Sequence, residues 1–309
     1  MESPSLAGTL GGLKVLEPSD LPRYKAAVAK GRQVGWGYYF PYLLARNRPG
    51  RRVVLLGEDD GSMCVFLWRR RNHANTLDLL VAPTPMNVSV LRRCLERAND
   101  FNRNRTARVL RIDAKDSYDV SRVASLRVRE RKTQYVYTPT AFNNLGGRSY
   151  RTLRRQLARI AELTHVDVAP YSSAHEPACL ALLREWARRH RAQQGTAGGV
   201  ATAYRVIELV NRFSATDLRG EVVLIDGRVC AFSFGGEIRR GVGCFVEAKS
   251  DNEIRGLSYF QRYSFLSKMQ EFELVNDGSD AGRAGLRQIK NSLRPSELHK
   301  EYRAFQIQS

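Results

Sequence analysis

The 309-residue chain has room for one large domain or two of ordinary size, and its 43% hydrophobic and 26% charged residues exclude wholesale disorder. Fifty Lys and Arg against 31 Asp and Glu leave a formal charge of +19, and 41 of the fifty are Arg. The longest apolar runs, such as Val53–Leu56 and Ala178–Leu183, fall far short of the ~20 residues that cross a bilayer, which excludes an integral membrane segment.

In chain order, residues 1–12 lack the basic stretch and apolar core of a secretory signal. Arg52–Gly57 and Met63–Trp68 read as strands joined by the turn Glu58–Asp59–Asp60–Gly61, a hairpin signal. Leu77–Val81 predicts a strand closed by Pro83 and Pro85. Val88 to Asn102 has a helical period through Val88, Leu91, Leu95 and Ala98. Arg108–Ile112 and Gln134–Tyr137 read as further strands. Beyond them, helices are expected over Tyr150–Leu163, Glu176–Arg191 and Ala201–Phe213, with a short strand at His165–Val168. The Gly-rich segment Gly195–Gly199 reads as a loop between the last two helices. A meander follows: Glu221–Ile225, the turn Asp226–Gly227, Val229–Gly235 and Gly241–Glu247. Gly256–Phe272 is then a helix and Glu273–Val275 a strand. Two helices, antiparallel strands, then helix and strand is the element order of a GNAT-type acyltransferase half, with a degenerate version before it. The expected class is therefore α/β (α+β), a tandem GNAT-like fold of two mixed sheets flanked by helices, divided into 1–140 and a catalytic 141–309.

The charge excess is guanidinium, whose planar fork matches phosphate oxygens, so a polyanionic partner is expected, nucleic acid ahead of membrane. An Arg-rich solvated surface is the plainer alternative. The densest basic feature is Arg148, Arg151, Arg154, Arg155 and Arg159, of which Arg151, Arg155 and Arg159 line one helix face. With Arg127, Arg129, Arg131 and Lys132 they can cradle a phosphate backbone. Five scattered cysteines without a CxxC pair, and histidines without HxH or HxxxH spacing, predict no metal site and a reduced, cytoplasmic setting.

Glu247 ends an apolar strand, so its carboxylate is either buried and paired or faces a cleft. The stretch Asn276–Lys290 (NDGSDAGRAGLRQIK) sets Asp277 and Asp280 beside Arg283, Arg287 and Lys290. Carboxylates that grip an ammonium beside cations that hold an oxyanion suit aminoacyl transfer; a turn and a charged surface helix is the bland reading. The segment Asn252–Ser258, where coenzyme-A-dependent GNAT enzymes carry a Gly-rich pyrophosphate loop, has one glycine, Gly256, and lacks the second.

These residues resemble a family. Asn144–Tyr150 followed by Arg154–Arg155 is similar to the L-G-G-x-x-Y-x-x-K-R-N segment that opens the catalytic domain of phosphatidylglycerol lysyltransferases, with one extra residue after the Tyr. Phe245–Asp251 resembles its F-E-K-A-D segment. Asn276–Lys290 resembles its N-x-E-Q-D-x-G-x-x-G-L-R-x-x-K signature, and Gly37–Leu43 its early aromatic stretch. The resemblance implies a double GNAT fold that takes an amino acid from aminoacyl-tRNA, with no further cofactor, and gives it to an acceptor nucleophile. It implies Glu247, Asp280, Arg287 and Lys290 as catalytic residues and Asp277 and Asn276 as substrate-binding ones. Lys290 and Arg287 would hold the adenosine or the ester carbonyl, Asp280 and Asp277 the aminoacyl ammonium, and Glu247 the acceptor. Gln156 stands where the family has the Asn of K-R-N, and Gly278 where it has the first Glu of the last signature. The lysyltransferases' membrane flippase domain has no counterpart here. Stand-alone relatives of this kind act on small molecules or peptides in natural-product pathways, which makes such an acceptor the expectation. The competing readings are a coenzyme-A-dependent N-acyltransferase, a phospholipid or peptidoglycan aminoacyltransferase, and a non-catalytic RNA-binding module.

Overall fold

In the computed structural model, which describes residues 12–48, 52–71, 74–194 and 199–307, the chain forms two compact units. The first is Met1–Thr133 with His299–Ser309; the second is Gln134–Leu298.

The first unit begins with β1 (Lys14–Val15), α1 (Leu21–Ala29) and α2 (Phe40–Leu44). The expected hairpin follows as β2 (Arg52–Asp59) and β3 (Ser62–Arg71). Asp60 and Gly61 both hold positive φ at its turn, 48° and 70°, a conformation that matches the twist of the strands it joins. Then come β4 (Ala74–Leu79), α3 (Val88–Asn102), β5 (Val109–Asp113), α4 (Ser117–Ser121) and β6 (Leu126–Tyr137), which is in this unit up to Thr133. Asn87 caps α3 by accepting from the backbone of Ser89 and Val90. The apolar face of α3 (Val90, Leu91, Leu95, Ala98) packs on Leu55, Phe66, Leu79 and Val109 of the sheet.

The second unit holds α5 (Arg151–Ala161), β7 (Val166–Pro170), α6 (Glu176–Gln194), α7 (Val200–Leu209), β8 (Arg219–Ile225), β9 (Arg228–Arg239), β10 (Val242–Ser250), α8 (Leu257–Ser267), β11 (Leu274–Asn276) and α9 (Ala284–Ser292). The strands lie in the order β11, β10, β9, β8, β7, with the end of β6 beside β11. Asp226 and Gly227 repeat the Asp-Gly turn between β8 and β9. Helices α5 and α8 lie against one another, and Gly256 makes that contact possible. Its φ is +93°, and a Cβ there would stand 2.6 Å from the Gln156 carbonyl oxygen. The lone glycine of this segment is thus accounted for by helix packing.

Two elements differ from expectation. β6 starts at Leu126, well before Gln134, because Arg127 to Lys132 form a charged strand that apolar patterning hides. The final strand β12 (Glu297–Gln306) pairs antiparallel with β5, Glu301 opposite Asp113 and Tyr302 opposite Ile112. His299–Ser309 accordingly counts with the first unit, where a single break at residue 140 would place it in the second half. Of the Gly-rich loop, 195–198 lie outside the described residues; Gly199 precedes α7.

Candidate active site

Strands β10 and β11 pair in parallel for three residues, Val242 to Cys244 against Leu274 to Asn276, and then part. A crevice at the carboxyl ends of parallel strands is where open α/β sheets hold ligands. At this point β10 carries a bulge: Phe245 lies opposite Gly235 and Glu247 opposite Phe234, which leaves Val246 as the extra residue. In a regular strand Phe245, Glu247 and Lys249 would share one face. The bulge instead joins Phe245 with Ala248, both packed among Phe265 of α8 and Met269 just beyond its end. Glu247 and Lys249 face away, and Lys249 Nζ lies 4.9 Å from the centre of the Trp186 ring on α6.

Glu247 and Lys249 form a nearly buried ion pair, Nζ to Oε2 at 2.7 Å, with side chains 10% and 8% exposed. The indole of Trp186 is stacked on its other neighbour, His190, at 3.6 Å between centroids. Burial, with the charges of Arg283 and Lys249, lowers the pKa of His190 against the opposing hydrogen bond to the Trp186 carbonyl. Arg283 lies 5.8 Å from the same indole, and its Nε has no hydrogen-bond partner. Burial and Arg262 lower its pKa, while Glu247 and Asp280 work the other way.

A second cluster fixes the loop that leaves β11. Asn276 is fully buried, donates to Gln134 and accepts from the Gly278 amide at 2.7 Å. Asp277 Oδ2 takes Lys290 Nζ at 3.0 Å and Arg262 Nε at 3.2 Å. Lys290 also donates to the carbonyls of Asp277 and Gly278, the latter at 3.2 Å. An ammonium has three N–H donors, and all three are engaged within the loop. Burial brings the pKa of Lys290 down to about 8 against the pull of Asp277. Lys290 and Asp277, expected to touch substrate, are therefore walled in with their charges spent on each other, on Arg262 and on the loop backbone.

Asp280, further along the loop, is more open. It takes Arg287 Nε at 2.6 Å and the Tyr135 hydroxyl at 3.2 Å on Oδ2, and the Gly282 amide at 2.8 Å on Oδ1. Burial works to raise its pKa, but Arg287 and the Gly282 amide outweigh it and hold the carboxyl below its usual range. The Arg287 side chain is 56% exposed.

The structure thus brings Asn276, Asp277 and Lys290 into one cluster and Asp280 and Arg287 into another, and places Glu247 at the bulge. Arg148, Arg151, Arg154, Arg155 and Arg159 are all exposed around the start and outer face of α5. Arg154 is turned back on the Leu145 and Gly147 carbonyls, and Arg159 donates to Gln156 at 3.0 Å. Lys132 lies in the first unit, where burial, Arg131 and Arg111 lower its pKa. The sequence reading missed Arg262, Lys249 and the Trp186 ring as the surface that two cations approach. An Arg amid the aromatic run Tyr259, Phe260, Tyr263 and Phe265 was the available signal for Arg262. No group of His, Cys, Asp and Glu among the described residues is arranged to hold a metal, and no described helix is long and apolar enough to cross a membrane.

Comparison with known proteins supplies the lineage. No curated protein sequence matches the chain. A conserved protein of unknown function from Bacteroides thetaiotaomicron matches in structure with TM-score 0.78 and 19% identity, covering 96% of this chain and 99% of the other. The structure of L-PGS from Bacillus licheniformis matches with TM-score 0.65 and 14% identity over 95% and 93% of the two chains. A tandem GNAT protein from the clavulanic acid biosynthesis pathway matches with TM-score 0.52 and 9% identity over 96% and 99%. The fold is thus the expected tandem GNAT-like one. The family model described as "Phosphatidylglycerol lysyltransferase, C-terminal" matches residues 51–305, and the chain belongs to that family of aminoacyltransferases.

Proposed function

We propose that the chain transfers an amino acid from the 3′ ester of aminoacyl-tRNA to an amine-type nucleophile on a small molecule or peptide, in a biosynthetic pathway for a natural product. Family membership supports the aminoacyl-tRNA donor. The observation that carries the site is the bulge at Val246, which turns Glu247 out of the α8 core and beside Arg283. The acceptor nitrogen attacks the ester carbonyl carbon, the new C–N bond forms and the ester C–O bond breaks. The nitrogen's proton passes by way of Glu247 to the leaving 3′ oxygen. The ester is already activated, so positioning and charge stabilisation supply most of the acceleration and no covalent intermediate is needed.

In this reading Glu247 orients and deprotonates the acceptor, and Asp280 takes the aminoacyl ammonium. Arg283 and Arg287 stabilise the oxyanion and the neighbouring phosphate. Lys290, Asp277, Asn276 and Arg262 are positioning residues that hold the loop on which Asp280 and Arg283 stand. Arg148, Arg151, Arg154, Arg155, Arg159 and Lys132 take tRNA phosphates. No cofactor is used.

The test incubates purified protein with bulk tRNA charged with radiolabelled amino acids and an extract of the source organism. Label passing into an RNase-resistant small product supports the reading and names the amino acid. Label in extracted lipid moves the acceptor to a phospholipid. No transfer, with acetyl-CoA protecting the protein against heat, overturns the donor.

A further inference from the structure

The first unit contains a cavity of about 260 Å³ whose wall is dominated by guanidinium groups. Seven arginines line it: Arg46 after α2, Arg52 on β2, Arg69 on β3, Arg108 and Arg111 on β5, Arg131 on β6 and Arg303 on β12. The sheet itself gathers them, since Arg52 and Arg69 are directly opposed across the β2–β3 ladder. Two carboxylates pair with this set. Asp78 takes Arg69 and Arg108, and Glu301 takes Arg111 and Arg131. Seven cations against two anions leave a surplus of five within one small cavity.

Among the described residues no further carboxylate pairs with these seven arginines. Arg46 and Arg111 donate to the Tyr42 hydroxyl, and their charges lower its pKa against the effect of burial. Arg52 gives its Nε–H to the Arg46 carbonyl at 2.8 Å, and the Nε of Arg46 and of Arg69 is buried without a hydrogen-bond partner. Burial and the neighbouring Arg46, Arg48 and Arg69 charges bring the pKa of Arg52 down to about 10. Guanidinium groups crowded at this cost in mutual repulsion form a receptor for a compact group with several negative charges.

We propose that the first unit binds a small molecule through a terminal phosphate or diphosphate, seated in this arginine cavity. Charge density selects this ligand over a nucleic-acid backbone. A phosphodiester carries one charge and would have to be repeated across an open surface to meet five cations. A diphosphate carries two to four charges within one cavity of this size and offers acceptor oxygens for several guanidinium forks. Phe305, with Arg303 4.9 Å above its ring, supplies an aromatic surface beside the cations for the organic part of the ligand. The proposal stands apart from the aminoacyl-transfer reading, since every residue it uses lies in the first unit.

The experiment titrates inorganic pyrophosphate into the full chain by calorimetry at fixed ionic strength, with sulfate as the singly substituted comparison. Saturable one-to-one binding of pyrophosphate is expected, tighter than that of sulfate, and weakened about tenfold or more in the double variant Arg52→Gln/Arg303→Gln. Heat unfolding without ligand gives a second readout, because removing Arg52 relieves repulsion and the free Arg52→Gln variant is expected to melt no lower than the parent. ADP binding more tightly than AMP supports a diphosphate group on a small molecule. Absence of saturable pyrophosphate binding, or equal binding by parent and double variant, overturns the proposal. A single-stranded RNA without terminal phosphates that binds and is not displaced by pyrophosphate overturns it too.

Discussion

Replacing Lys290 by Met removes a buried ammonium while keeping most of its volume. The wild-type side chain is 1% exposed and holds Asp277 Oδ2 together with two loop carbonyls. Stranding one member of a buried ion pair costs about 3–5 kcal/mol when no other partner is present. Here Arg262 still reaches Asp277 at 3.2 Å, so a loss of about 2–3 kcal/mol is expected. The pH dependence gives an independent handle. Burial lowers the Lys290 pKa from 10.5 to about 8 in the folded chain. Between about pH 8 and 10.5 the unfolded chain binds the additional proton, so this group makes stability rise with pH through that window, by about 3 kcal/mol in all. Below pH 8 its contribution is flat. The assay is urea unfolding of both proteins from pH 7 to 10.5, with aminoacyl transfer measured at pH 7. The variant should be the less stable, the gap should widen above pH 8, and transfer should fall because Asp280 and Arg283 lose their support. Adding Asp277→Asn to Lys290→Met should restore part of the stability. Parallel stability curves separated by under about 0.5 kcal/mol would refute the burial argument.

Other substitutions probe separate links. Glu247→Gln keeps a hydrogen-bond acceptor for Lys249 but removes the base and the counter-charge of a nearly buried ammonium, so single-turnover transfer should drop about 100-fold or more at a temperature where the variant is fully folded, and the melting temperature should fall as well. Gly256→Ala forces a side chain into positive φ, 2.6 Å from the Gln156 carbonyl, and should cost about 2–4 kcal/mol in denaturant unfolding. Asp116 has its pKa raised to about 6, chiefly by burial. The folded chain therefore keeps that proton where the unfolded chain has lost it, and the group costs stability as pH rises from about 4 to 6. Asp116→Asn should flatten that part of the pH profile, by about 3 kcal/mol at most, and a profile identical to the parent's would count against it.

What the sequence made legible follows from how local each signal is. The Asp60–Gly61 and Asp226–Gly227 turns need only their own backbone preferences, and the apolar period of Val88–Asn102 needs only its own helix. β6 and β12 carry charge along their length and become strands through partners far away in the chain, as when Arg131 finds Glu301. The site divides in the same way. The Asn276–Lys290 segment was visible as a cluster, but which of its charges stay inside was not. That depends on Arg262, a residue of α8 whose position opposite Asp277 arises only when the helix is folded over the sheet. Trp186 was legible as an apolar member of α6, whereas the two cations over its ring belong to other elements.

The bulge at Val246 acts as a change of phase within a single strand. Residues up to Phe245 are read by the packing against α8, and from Glu247 onward the count restarts with polar groups on the opposite side. Closing the bulge with every residue kept would exchange the two sets and send Glu247 and Lys249 into the aromatic core, whereas deleting Val246 would leave a regular ladder with both on their present face. Composition on the two sides can thus drift under two unrelated constraints without either disturbing the other, and Val246 is the one position of the strand whose loss leaves both sets of side chains where they are.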